Sequence, residues 1–249
     1  MYLPIKRVTS LLSLSVFMAI TFYSANSFAA ESIESFAEKA KENIAQMKKK
    51  RTIWTDADRE IMKAAEEQLA NDLPNPGLKA GNKAPNFALK NAFGETIELT
   101  KELSKGPVVL IFYRGAWCPY CNLHLHALKE NVAEFAKYGA QVIAITPQSP
   151  DKSAEQVKKD GFAFQVLSDS SARVMKDYQL YFELPADLMR IYKEHGLDVE
   201  EFNGKGGNGL PTPGAFIIDQ QGVIRTMQAE VDYKSRMSPE DIIAALAEL

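Results

Sequence analysis

The chain has 249 residues, 46% hydrophobic and 24% charged, an ordinary globular composition that allows one good core plus an appendage. A net charge of −3 and the lack of any basic stretch beyond Lys48-Lys49-Lys50-Arg51 exclude an electrostatic footprint for nucleic acid. The chain has two cysteines, Cys118 and Cys121.

The first thirty residues read as a targeting segment. Lys6 and Arg7 precede an apolar stretch from Leu11 to Tyr23, and Ser27-Phe28-Ala29 fits a small-x-small cleavage site. The stretch falls short of the roughly 20 residues that cross a bilayer, so residues 1–29 are expected to be a signal peptide rather than an anchor. The mature chain would be periplasmic or secreted, with no membrane insertion after cleavage.

Residues 30–76 read as a helical N-terminal extension. Ile33, Phe36, Ala37, Ala40, Ile44 and Met47 recur at helical spacing. A second helix should begin at Thr55, with Asp58 placed to complete a capping box. Ile61, Met62, Ala65 and Leu69 form its apolar face, and Pro74, Pro76 and Gly77 end it. This pair packs on the main domain or on a partner, a homodimer being one option.

Residues 77–249 alternate strand and helix. Strands are expected at Val108–Tyr113, Gln141–Thr146, Phe164–Leu167, Ala215–Ile218 and Val223–Gln228, the last two joined as a hairpin by "DQQG". Helices are expected over Leu123–Tyr138, Ser153–Lys159, Ser171–Tyr178, "PADLMRIYKEHG" and the closing "SPEDIIAALAEL", capped by Ser238. The fold class is therefore α/β, a mixed central sheet flanked by helices. The glycines of "GKGGNG" (204–209) match a dinucleotide pattern literally, but the segment neither follows a strand nor opens a helix. It reads as a mobile surface loop.

The cysteines follow the first long strand as Cys-Pro-Tyr-Cys. If Pro119 opens the helix, Cys118 lies at its N-terminus, where free amides and the dipole favour a thiolate. Cys121 lies one turn on, close enough to form a small ring. A two-residue gap gains little by loop closure, which favours chemistry over a structural staple. A cycling dithiol/disulfide pair is the strongest inference. Pro213, directly before a strand, is a candidate cis proline. His124 and His126 extend the spacing to C-x2-C-x2-H-x-H, so a copper or zinc site is an alternative. His126 points away from His124 on a helix, however, and the expectation is no metal and no cofactor. His195 reads as a partner of a helix C-terminus.

Several segments resemble the peroxiredoxin-like branch of the alkyl hydroperoxide reductase/thiol-specific antioxidant family. These are "LKAGNKAPNFALKNAFGETIELTKEL", "VVLIFYRGAWCPYCN", "LPADLMRIYKEHG", "FNGKGGNGLPTPGAFIID" and "VDYKSRMSPEDIIAAL". The resemblance implies a thioredoxin-like fold with a short hairpin after the Ala-Pro-x-Phe turn. It implies a peroxidatic cysteine at Cys121, nine residues after Phe112. The family's usual threonine falls on Cys118, its proline on Arg114, and its later arginine on Pro213. The cation that holds the thiolate must then come from Arg114, or from Arg225 or Arg236.

Two jobs for the cysteines follow. In one, Cys121 reduces a hydroperoxide, Cys118 resolves the sulfenic acid, and a thioredoxin-like reductant restores the pair. In the other, Cys118, expected to be the more exposed thiol, attacks a protein disulfide and Cys121 resolves. Tyr113, Trp117, Pro119, Tyr120 and Pro213 are the expected substrate-binding walls, beside Cys121, Cys118 and Arg114 as the catalytic set.

Overall fold

The structure, a computed structural model, describes residues 54–249 together with Glu42 and Ala45. The expected signal peptide and first helix lie outside the described residues. The elements below belong to the unit spanning Asn43–Leu249.

Helix α1 (Asp56–Asp72) starts where the sequence places it. The Thr55 hydroxyl accepts from the Asp58 N–H, and the Asp58 carboxylate accepts from the Thr55 N–H. Such a cap is worth about 1 kcal/mol. Next come β1 (Ala88–Asn91), β2 (Thr96–Glu98), α2 (Leu99–Leu103) and β3 (Val108–Phe112). Helix α3 (Pro119–Ala136), β4 (Gln141–Thr146), α4 (Pro150–Asp160), β5 (Gln165–Ser168) and α5 (Arg173–Asp177) complete the parallel half. A short ribbon of β6 (Tyr181–Glu183) and β7 (Gly209–Pro211) encloses α6 (Ala186–Glu194) and α7 (Val199–Asn203). The chain finishes with β8 (Gly214–Ile218), β9 (Ile224–Ala229) and α8 (Pro239–Ala247).

The main sheet has the order β2-β1-β5-β4-β3-β8-β9. Strands β3, β4 and β5 are parallel, whereas β8 and β1 run antiparallel to their inner neighbours. All five residues of β3 are buried, because helices cover both faces of a central strand. Val109 and Ile111 point with Tyr113 towards α3, α4 and α8, while Val108, Leu110 and Phe112 enter the opposite core with Phe87 and Tyr178. Each such side chain contributes about 1.5–3 kcal/mol by leaving water.

A third apolar cluster joins α1 to α6. Trp54, Ile61, Met62 and Ala65 pack against Leu184, Leu188 and Ile191. His195 caps the C-terminus of α6, as its position suggests, and also sets Nε2 3.2 Å from the Asp58 carboxylate, with its ring against Trp54. The glycine-rich stretch leaves α7 and runs into β7, with the Asn203 amide donating to the Gly207 carbonyl. Among the described residues no helix is long and apolar enough to cross a membrane.

Candidate active site

Strand β3 delivers its chain end to the middle of the sheet, and the loop from Arg114 to Trp117 turns it into α3. Gly115 has φ +149°, and a Cβ there would lie 2.5 Å from the Trp117 indole nitrogen, so only glycine fits. The loop hangs on a buried polar network. The Ala116 N–H donates to Gln148 Oε1 (2.8 Å), and the Asn122 amide donates to the Ala116 carbonyl (2.6 Å). Gln156 joins them by donating to Asn122 Oδ1 and accepting from the Tyr113 hydroxyl and the Gln148 amide.

Cys118 is the N-cap of α3, Pro119 the first helical residue, and Cys121 the third, as the local pattern predicts. Both sulfurs are reduced, and both residues are 1% exposed. The expectation of an exposed Cys118 is therefore wrong. Its side chain belongs to the α3-facing core, with Trp117 and Tyr120 packed on that cluster and Met237 inside it.

Ionisation is also reversed relative to the helix-terminus argument. Burial pushes the Cys118 thiol up, and its donated hydrogen bond to Cys121 keeps the proton in place. Burial opposes ionisation of Cys121 too. There the Cys118 S–H, the Arg236 charge, the Arg114 N–H and the Arg114 charge together bring it down to about 5. Cys121 is the thiolate and Cys118 the thiol.

The cation beside Cys121 is Arg236, whose Nη2 lies 3.4 Å from Sγ while Nη1 donates to the Tyr233 and Ser235 carbonyls. Arg225 pairs instead with Asp219 at 2.6 Å. Arg114 is buried and lies between the Trp117 and Tyr233 rings, 4.9 and 4.7 Å from their centroids. Burial disfavours its charge, yet the sulfurs of Cys118 and Cys121 together with Tyr192 hold it. Tyr233 also meets Tyr120 edge-on.

His124 lies on the helix face of Cys121, but its Nε2–H donates to the Met237 carbonyl (2.9 Å). Burial and the nearby Arg236 charge outweigh the upward pull of that carbonyl and bring it down to about 3, so it is neutral. His126 sits 3.7 Å from Asp160 and against Phe162, away from the thiols. Among the described residues no group of three or more His, Cys, Asp or Glu is arranged to hold a metal ion.

Of the expected walls, Trp117 and Tyr120 are half-buried beside the pair and Pro119 is exposed. Tyr113 is buried in the polar network beneath the loop, its hydroxyl donating to Gln156. Pro213 follows a trans peptide, so the expected cis proline is not formed; the Thr212 N–H before it bonds to the Leu180 carbonyl. It lines a cavity of about 320 Å³ that also reaches Arg114.

Asn122, Gln148, Gln156 and Tyr233 escaped the sequence reading. A signal existed for one: Ser153, Gln156 and Val157 share a helix face, and a glutamine on an apolar face asks for partners.

The sheet order and the activated cysteine at the start of α3 define a thioredoxin-like α/β protein with a thiol centre. Its backbone matches the crystal structure of peroxidoxin BcpB from Mycobacterium tuberculosis with a TM-score of 0.55, at 22% identity, over 69% of this chain and 98% of that one. Residues 80–227 match the AhpC/TSA family, and the chain belongs to it. Peroxiredoxin Bcp of Escherichia coli (strain K12) is 30% identical over 150 residues, 60% of this chain and 84% of that protein. The chloroplastic peroxiredoxin Q of Populus jackii is 28% identical over 66% of this chain, which spans 63% of that relative's length.

Proposed function

We propose that this protein is a thiol-dependent peroxidase that attacks hydroperoxides with Cys121 and resolves with Cys118. The observation that carries the proposal is the ionised Cys121 facing Arg236, with the protonated Cys118 beside it.

The Cys121 thiolate attacks the terminal oxygen of the hydroperoxide. The S–O bond forms, the O–O bond breaks, and the leaving oxygen departs as an alkoxide or hydroxide that takes a proton from solvent. Arg236 and the Arg114 N–H stabilise the charge that moves from sulfur to oxygen. The Cys118 sulfur then attacks the sulfenic acid, and the hydroxyl leaves as water with the Cys118 proton. A thioredoxin-type dithiol supplies two electrons and two protons to restore both thiols. No cofactor or metal enters the cycle.

The alternative with Cys118 attacking a protein disulfide fits less well, because that sulfur is held protonated. The targeting pattern supports division into a signal peptide (1–29), a helical extension (30–76) and the catalytic domain (77–249), with work in the periplasm or outside the cell. A homodimer through the extension belongs to the same reading.

The test is to oxidise Cys118→Ser with one equivalent of hydroperoxide and trap the product with dimedone. Formation of the Cys121 adduct orders of magnitude faster than with a free thiol is expected. A rate equal to that of a free thiol, or a mixed disulfide captured through Cys118 in Cys121→Ser, overturns the proposal.

A further inference from the structure

The cavity of about 320 Å³ that Pro213 and Arg114 line has neither cysteine in its wall. Helix α1 contributes Met62, Ala65 and Leu69 to it, and the segment running from β6 into α6 contributes Phe182, Leu184 and Leu188. Helix α1 lies outside residues 80–227, the part that matches the family. The space suits a small organic molecule of roughly ten non-hydrogen atoms with an apolar body.

Two sets of polar side chains interrupt the apolar lining. The first is buried: Arg114 is 5% and Thr212 1% exposed, and Arg114 Nε and Thr212 Oγ1 have no hydrogen-bond partner among the described residues. Such groups cost free energy unless something pairs with them. Charge is also left over. Arg114 lies between the Trp117 and Tyr233 rings, Arg236 binds carbonyls and Cys121, and among the described residues neither pairs with a carboxylate. Two guanidinium groups thus share one thiolate, and a buried cation in surplus favours an anion. A carboxylate meets all three demands, accepting from the Arg114 Nε–H, accepting from the Thr212 hydroxyl and supplying the missing negative charge. The second set is Glu66, Asp72 and Glu183, all exposed, in a lining where Arg114 is the one basic side chain. Asp72 and Glu183 accept from the neutral Gln68 and Tyr181 side chains, and among the described residues none of the three pairs with a cation. A molecule carrying a carboxylate alone is repelled there, whereas an ammonium at its far end turns the repulsion into attraction.

We infer that this cavity is a binding site, separate from the thiols, for a small amino carboxylate whose two charged ends are held apart by an apolar spacer. The carboxylate pairs with Arg114 and Thr212, the spacer packs on the apolar side chains of α1 and α6, and the amine faces Glu66, Asp72 and Glu183. The site goes beyond the peroxidase reading and does not depend on it. 4-(Aminomethyl)benzoate is a suitable probe. Benzylamine lacks its carboxylate and 4-methylbenzoate lacks its amine.

The experiment titrates the reduced full chain with each of the three probes at pH 7, followed by NMR and calorimetry. 4-(Aminomethyl)benzoate is expected to bind with a Kd below about 1 mM, and each truncated probe at least about threefold more weakly. Thr212→Val removes the hydroxyl while keeping the shape. It should weaken both carboxylate-bearing probes at least about threefold and leave benzylamine unchanged. Glu66→Gln/Asp72→Asn should do the reverse, weakening the two amines and sparing 4-methylbenzoate. Ala65→Trp fills the cavity from α1 and should abolish binding of all three. No binding of 4-(aminomethyl)benzoate to the wild type, equal affinity for the three probes, or binding that survives Ala65→Trp overturns the inference. Surface variants that fail to discriminate amine from carboxylate overturn the assigned orientation. None of these readouts involves peroxide, so the site and the peroxidase reading stand or fall separately.

Discussion

Arg236 holds a guanidinium nitrogen 3.4 Å from the Cys121 sulfur, across 115 positions of sequence. The contact joins the start of α3 to the loop between β9 and α8, and it gives the buried thiolate a cation that the helix terminus alone would not.

Replacing Arg236 should therefore raise the Cys121 pKa. In Arg236→Gln the pH midpoint of iodoacetamide alkylation should move up by at least about one unit, since an adjacent opposite charge is worth about 1–3 units. Peroxide reactivity at pH 7 should drop roughly tenfold or more, mainly because the guanidinium no longer stabilises the charge that moves to the leaving oxygen. An unmoved midpoint would remove Arg236 from the mechanism.

Stability of the reduced protein should follow the same ionisation. Cys121 is depressed to about 5 when folded, against roughly 8.5 in an unfolded chain. Its contribution is complete above about pH 8.5 and is lost as pH falls towards 5. Cys118 shifts the other way, so above about pH 8.5 the folded state keeps a proton the unfolded state releases, and stability falls. His124, depressed to about 3, adds a contribution that is whole above about pH 6.5 and lost below it. Thermal melts of wild type and Cys121→Ser from pH 5 to 9 should differ in slope between about 6.5 and 8.5, where the wild type gains and the variant does not. Parallel curves would contradict the assignment.

The neutral His124 tethers the loop between β9 and α8 by donating to the Met237 carbonyl. His124→Phe keeps the bulk and strands that carbonyl, at a cost of about 1–3 kcal/mol in urea denaturation. The Cys121 alkylation midpoint should rise as Arg236 loosens. A destabilised variant with an unchanged midpoint would show that the tether is only structural.

Tyr113 is expected to matter for stability and not for binding. Tyr113→Phe removes the hydroxyl shared by Gln156 and Gln148, costing about 1–2 kcal/mol, while KM for hydrogen peroxide stays within twofold. A large rise in KM would return Tyr113 to the substrate-binding set.

Local pattern carried much of the architecture. The Thr55–Asp58 capping box, the β-branched run of β4 and the Ser238 cap are interactions among near neighbours, and each forms where its residues stand. The resemblance placed the β1–β2 hairpin and singled out Cys121. The thiol chemistry was misread at Cys118 because the helix-terminus argument counts only nearby amides. The Arg236 charge and the cover over Cys118 come from the chain's last third. The β6–β7 ribbon likewise brings together segments with two helices between them, and neither strand is long enough to announce itself.

One loop carries the Tyr233 ring that covers Arg114, the Arg236 that faces Cys121 and the Met237 carbonyl that receives His124. In the proposed cycle a dithiol reductant would have to reach sulfurs that are shut away in the reduced protein, and that loop is part of what shuts them in. Lifting it would disarm the nucleophile in the same stroke. Access and activation are thus on one latch, and on the peroxidase reading a protein opened for its reductant would briefly be a poor target for a second oxidant.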